Sequence, residues 1–108
     1  MNWLWLVSNF FGGACLTNSI PHLVSGLTGR SFPTLFSKPV GIGLSSSTVN
    51  FLWGWSNVIL GYFLIVWVGT FDLRSVPDVL SLSAGSLFVG MMLARHFGTL
   101  YRLNYPGA

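Results

Sequence analysis

The chain has 108 residues, 52% of them hydrophobic and only 6% charged, against roughly 25% charged in a soluble domain. Five basic and two acidic side chains are too few to clothe a water-soluble surface. The basic residues behind the net charge of +3 are scattered, which excludes a phosphate-binding face and with it nucleic acid as a partner. What remains is an all-α polytopic membrane protein, a single integral-membrane domain over residues 1–108.

No charged residue occurs between Asn2 and Gly29, and Trp3 to Leu27 is mostly apolar, longer than the roughly 20 residues a spanning helix requires. This predicts a first span near 3–28. Within it, Gly12-Gly13-Ala14-Cys15 loosely resembles a lipoprotein cleavage box. The segment lacks a basic leader, and Gly12 stands where a large aliphatic residue is needed, so the helix is expected to remain uncleaved. Cys15 is the only cysteine, which excludes an internal disulfide and any multi-cysteine metal site within one chain.

Residues 30–46 hold Pro33, Pro39, Gly41 and Gly43 together with Arg30 and Lys38. Such breaker chemistry leaves backbone groups unpaired in lipid, so an ordered loop at the cytoplasmic interface is expected. A second uncharged stretch runs from Thr48 to Phe71, with Ser45, Ser46 and Ser47 available as caps and Gly69 near its exit, giving a span near 47–70. The third begins with the most complete signal in the chain. Ser75 can cap, Pro77 fits the first turn, and Asp78 favours the positive end of the helix dipole. Arg95, His96 and Gly98 then place its end near Phe97, for a span of 76–97.

With three antiparallel spans, the 30–46 loop and the C-terminal tail share one side, which carries Arg30, Lys38, Arg95 and Arg102. The other side carries Arg74, offset by Asp72 and Asp78. This basic bias puts the N-terminus outside and the C-terminus in the cytoplasm of a multi-pass inner-membrane protein. Aromatic residues agree, with Trp3, Trp5 and Trp67 near the outer interface and Trp53, Trp55, Phe97, Tyr101 and Tyr105 toward the inner one.

Helical spacing gives each span a seam of small and polar residues. The first carries Ser8, Gly12, Cys15, Ser19, His22 and Gly26, opposite Leu4, Phe11, Leu16 and Leu23. The second carries Asn50, Gly54, Asn57 and Gly61, and the third Ser83, Ser86, Gly90 and Ala94. In lipid, helices associate by close approach at small residues and by interhelical hydrogen bonds. Gly12, Gly54, Asn57, Gly61 and Gly90 are therefore expected at packing faces, and the competing use of the seams is to line a permeation path in an oligomer.

His22 lies roughly 28 Å along the first helix from Trp3, counting 1.5 Å per residue, hence near the cytoplasmic boundary. Asn18 sits one turn deeper, Asn50 begins the second span at the same level, and Arg95 and His96 end the third there. Polar groups at membrane depth are costly and define a candidate site. The simpler alternative is structural, with His22 bonded to Asn50 or to the carbonyl freed by Pro21. Two histidines can ligate haem or a metal, but neither lies in a ligand-spacing motif and no acidic partner is near, so no metal and no cofactor are expected. Nor does any nucleophilic series, phosphate loop or buried carboxylate suggest an enzyme.

The run Asn18-Ser19-Ile20-Pro21-His22, followed by Gly26, Gly29-Arg30, Phe32-Pro33 and then Ser45-Ser46-Ser47-Thr48-Val49-Asn50-Phe51-Leu52-Trp53-Gly54, resembles small bacterial integral-membrane proteins with an Asn-x-x-Pro-His element and no assigned activity. The resemblance implies a bacterial inner-membrane location, and it joins the Pro-His element and the serine-rich start of the second helix in one local structure. It carries over no catalytic residue or ligand. The expected role is an accessory, assembly or structural subunit, with lipids and either further copies or a larger membrane complex as partners. The alternatives are a small oligomeric channel or carrier, and a subunit binding haem, quinone or lipid at the inner-leaflet His/Asn cluster.

Overall fold

The computed structural model describes residues 2–107, and in them the chain forms three helices. These are α1 (Trp3–Leu27), α2 (Ser47–Tyr62, continued by a π-helical segment Phe63–Val68) and α3 (Val76–Asn104). Among the described residues the sole extended pairing is an isolated bridge between Phe32 and Ser45.

The helix ends follow from local chemistry. Asn2 caps α1 by accepting from the Leu4 amide at 2.9 Å. At the other end Gly29 takes φ +73, which lets the Arg30 amide reach back to the Ser25 carbonyl at 2.9 Å and closes the last turn. Ser46 caps α2 and Ser75 caps α3, with Pro77 and Asp78 in the first turn of α3 as their types dictate. The third helix overruns its expected end near Phe97 and continues to Asn104. An interior glycine such as Gly98 costs only about 1 kcal/mol, and the residues after it hold no breaker before Pro106. The residue preceding that proline, Tyr105, leaves the helical region at φ −132 and ψ 71.

α1 is the middle element. α2 and α3 both pack against it, and no Cα of one comes within 8 Å of a Cα of the other. Along α2 the meeting points run in reverse order to α1, from Gly26 beside Phe51 to Gly12 beside Ile65. Along α3 they run in the same order, from Leu6 with Ser81 to Thr17 with Gly90. The molecule measures 48 × 28 × 21 Å, its long axis comparable to a bilayer of about 40–45 Å including headgroups.

The interior is polar and the surface apolar. The buried hydrophobic side chains are Ala14 and Ile65, whereas Ser8, Asn9, Ser19, His22, Ser25, Asn50 and Asn57 are all buried. Leu52, Trp55, Phe63 and Trp67 of the second helical stretch stand exposed, as do Leu80, Leu87, Phe88 and Met91 of α3. Two helices, Ser47–Val68 and Val76–Asn104, are long and apolar enough to cross a membrane. α1 is less clearly a span, and it carries five of the buried polar residues, Ser8, Asn9, Ser19, His22 and Ser25.

The packing faces differ in detail from those that spacing suggests. Gly12 and Gly61 meet one another, a side chain on Gly61 coming within 3.1 Å of the Gly12 carbonyl. Leu16 and Leu23, expected on the opposite face of α1, instead seat over Gly61 and Gly54, where an added Cβ would approach them at 3.0 and 2.9 Å. A helix of 3.6 residues per turn flanked on two sides has little face left for such leucines to occupy alone. On α3, Ser83 and Ala94 are exposed, and the contact runs through Ser81, Gly85 and Ser86. Ser81 donates to the Leu6 carbonyl, Ser86 donates to the Gly13 carbonyl at 3.1 Å, and Gly85 lies directly on the Phe10 carbonyl. Gly90 has room, since a Cβ there would touch only Thr17 at 3.7 Å.

These contacts set an order of sensitivity to a single methyl group. Gly85→Ala and Gly13→Ala, each driving a Cβ into a facing backbone carbonyl, should lose about 1–3 kcal/mol, outweighing the roughly 1 kcal/mol that alanine gains in a helix. Gly90→Ala should be neutral or stabilising. Thermal unfolding in mild detergent reads the order, and equal behaviour of the three would refute the α1–α3 contact.

Candidate functional site

The site is built outward from Asn50, in the first turn of α2 and 0% exposed. Its side-chain nitrogen lies 2.9 Å from the Phe32 carbonyl, 3.0 Å from that of Ser46 and 3.2 Å from that of Ser45, so its two hydrogens are shared among three acceptors. That fixes which way the amide faces. Its oxygen is turned to His22 Nδ1 at 2.8 Å, and since this oxygen only accepts, Nδ1 must carry the proton. In the neutral ring the lone pair is then on Nε2.

His22 is 3% exposed and held edge-on between Phe32 and Trp53, with ring centroids 5.7 and 6.5 Å away. Its Nε2 has no hydrogen-bond partner among the described residues, and it is not sealed from the surface as Asn9 Oδ1 is. The His22 side chain lines a cavity of about 530 Å³ whose floor is α1 at Phe11, Ala14, Cys15, Asn18 and His22. α2 contributes Trp53 and Asn57 to one wall, α3 contributes Met92, Leu93 and Phe97 to the other, and Pro33, Thr34 and Gly41 of the loop close the end. The space lies where the backbones of α2 and α3 stay more than 8 Å apart, Cα to Cα.

The loop is held rigidly enough to act as that end wall. Thr34 and Ser45 share a hydroxyl–hydroxyl hydrogen bond of 2.6 Å, Ser37 donates to the Thr34 carbonyl at 2.6 Å, and the Gly41 amide donates to the same carbonyl at 2.9 Å. The Phe32–Ser45 bridge closes the loop's neck beside Asn50.

The five residues grouped by depth divide into separate sets. His22 and Asn50 are bonded. Asn18, expected beside them, donates instead to Asn57 Oδ1 at 3.2 Å, and Asn57 in turn donates to the Trp53 carbonyl at 2.9 Å. His96 is exposed and its Nε2 donates to the Gly41 carbonyl at 2.6 Å, while Phe97 beside it stacks on Phe32 at 4.6 Å. These two contacts tie the end of α3 to the loop. Arg95 is exposed and does not line the cavity. Among the described residues no group of three His, Cys, Asp or Glu is placed to hold a metal.

Spacing alone did not single out Asn9, which is 0% exposed and donates to the Thr70 carbonyl at 3.2 Å, its oxygen left unpaired. It sits next to Ser8, itself bonded to the Leu64 carbonyl, and a stripe drawn in steps of three and four takes one of such neighbours and passes over the other. An asparagine in an otherwise apolar stretch was the available signal.

No family model, curated protein or solved structure matches the chain.

Removing the Asn50 amide leaves the His22 imidazole N–H without a partner and takes a second donor from three carbonyls that keep their backbone hydrogen bonds. Asn50→Ala should cost about 1–3 kcal/mol and speed amide hydrogen exchange at Phe32 and Ser45, the two ends of the bridge. His22→Gln, which keeps a donor for Asn50, should fold normally. Unchanged exchange at those two amides in Asn50→Ala would show that Asn50 does not hold the loop.

Proposed function

We propose that the chain is a three-span integral membrane protein with helices alternating in direction across the bilayer, acting as an accessory subunit that contributes helix surface to a membrane assembly. The inverted burial supports this reading: polar side chains line the contacts of α1, and apolar ones cover α2 and α3. In water such a surface is an aggregation hazard, and in hydrocarbon it is the normal one. α1 then crosses between the two apolar helices, its serines and asparagines spent on interhelical hydrogen bonds worth about 0.6–2 kcal/mol each.

Orientation rests on charge. The loop end of the molecule, where His96 meets Gly41, gathers Arg30, Lys38, Arg95 and Arg102, and Arg74 lies at the opposite end with Asp72 and Asp78. Basic residues favour the cytoplasmic side, so the N-terminus is outside and the C-terminus inside. A channel between copies is less well supported, because the polar seams of α1 and α2 are occupied within one chain and the outer faces of α2 and α3 carry mainly apolar residues. The cavity at His22 favours a second reading, a subunit that binds a lipophilic molecule.

The outer face of α3 is the surface on which the accessory reading depends. A photo-crosslinking residue at Leu87 or Phe88, both exposed, should yield adducts with another membrane-spanning protein chain, and lipid adducts alone would reject that role. A reporter active only in the cytoplasm should work when fused after Ala108 and fail when fused before Met1. The reverse pattern would invert the molecule and move the His22 cavity to the outer leaflet.

A further inference from the structure

We propose that the cavity between α2 and α3 is a binding site for a lipophilic molecule bearing a hydroxyl group, such as an alcohol, a phenol or a reduced quinone, with that hydroxyl donating its hydrogen to His22 Nε2. The proposal rests on the membrane reading above, since a lipid-soluble ligand would reach the cavity from the bilayer between two helices whose backbones stay more than 8 Å apart, Cα to Cα. It is carried by a chain of hydrogen-bond assignments. Three backbone carbonyls claim the Asn50 amide hydrogens, which turns Asn50 Oδ1 to His22. Neutral His22 must then protonate Nδ1, leaving at Nε2 an acceptor with no partner among the described residues, on a side chain that lines the cavity.

A second assignment points the same way. Asn57 spends its amide hydrogen on the Trp53 carbonyl, so its oxygen accepts from Asn18, and Asn18 presents its own oxygen as a further acceptor. Asn18 and His22 are four residues apart on one helix and hence neighbours on the same face. Both line the cavity, the rest of which is mostly apolar, with Phe11, Leu93 and Phe97 among its walls. Two acceptors in an apolar enclosure select a donor. Ketones, ethers and esters can accept the remaining Asn18 amide hydrogen but give nothing to the two acceptors, whereas a hydroxyl can do both. An acceptor left without its donor is penalised, so a hydroxyl is expected to be preferred over its ether on top of the larger contribution that both draw from the apolar tail.

The test uses a matched pair of probes, 4-nonylphenol and its methyl ether 4-nonylanisole, titrated into the purified full chain in nanodiscs with thermal stability and equilibrium binding as readouts. The phenol should bind saturably and about tenfold more tightly than the ether, and His22→Leu and Asn18→Leu should each shrink that ratio toward one while leaving ether binding largely unchanged. Equal affinity for both probes in the wild-type chain, or no saturable binding of either, would overturn the proposal without reliance on any variant. A histidine-ligated haem spectrum that forms on adding haemin and disappears in His22→Gln would also overturn it by assigning Nε2 to iron. Extraction of the chain from membranes by alkaline carbonate would instead defeat the membrane reading beneath, whereas a chain retained in the membrane that shows no preference for the phenol defeats only the inference about the ligand.

Discussion

One carboxamide organises the end of the molecule where chemistry is possible. Asn50 has two hydrogens to give and three carbonyls to receive them, all three in the chain that leads from α1 to α2. With the nitrogen so engaged, its oxygen can only face α1, where it meets His22. The loop's neck, the start of α2 and the tautomer of a histidine on another helix are thus settled by the same side chain. A residue that is fully buried and uses both ends of its amide leaves little freedom for any of its partners.

The second constraint is the crowding of α1. A helix flanked on two sides by helices that ignore each other must present small residues along two strips, and α1 does so with Gly12 and Gly26 toward α2 and Gly13 toward α3. The facing helices answer with Gly54, Gly61 and Gly85. Close approach at these points brings serine and asparagine side chains within reach of carbonyls on the neighbouring helix, as Ser8 reaches Leu64 and Ser86 reaches Gly13. Small residues and polar residues are therefore one device: the first bring the backbones together and the second pair across the contact.

Much of this is legible in the residues alone. Helix existence follows from uncharged apolar runs, and the starts of α2 and α3 follow from serine caps with Pro77 and Asp78 behind them. Helical period places Gly12, Gly26, Gly54 and Gly61 at the α1–α2 contact but puts Leu16 and Leu23 on the wrong face and passes over Gly13, while depth along the spans puts His22 level with Asn50. The phase of α3 is not legible in the same way, because serine, glycine and alanine recur on several of its faces. Which face is used depends on where the Phe10 and Gly13 carbonyls of α1 lie, information absent from α3 itself. The partner of Asn18 escapes for a related reason. Depth alone groups it with His22, whereas the direction of its side chain takes it to Asn57. The cavity could not be read at all, since it arises from a contact that α2 and α3 fail to make.

That missing contact has a mechanical side. The pair α2 and α3 is joined at one end by the short connection through residues 69–75, and at the other by the His96–Gly41 hydrogen bond and the Phe32–Phe97 stack. Between those ends their separation is set through α1, to which each is bonded on its own, α2's continuation through Ser8 and the Leu64 carbonyl and α3 through Ser86 and the Gly13 carbonyl. The width of the gap is thus the sum of two independent seatings on one helix, and a shift in either alone widens or narrows it.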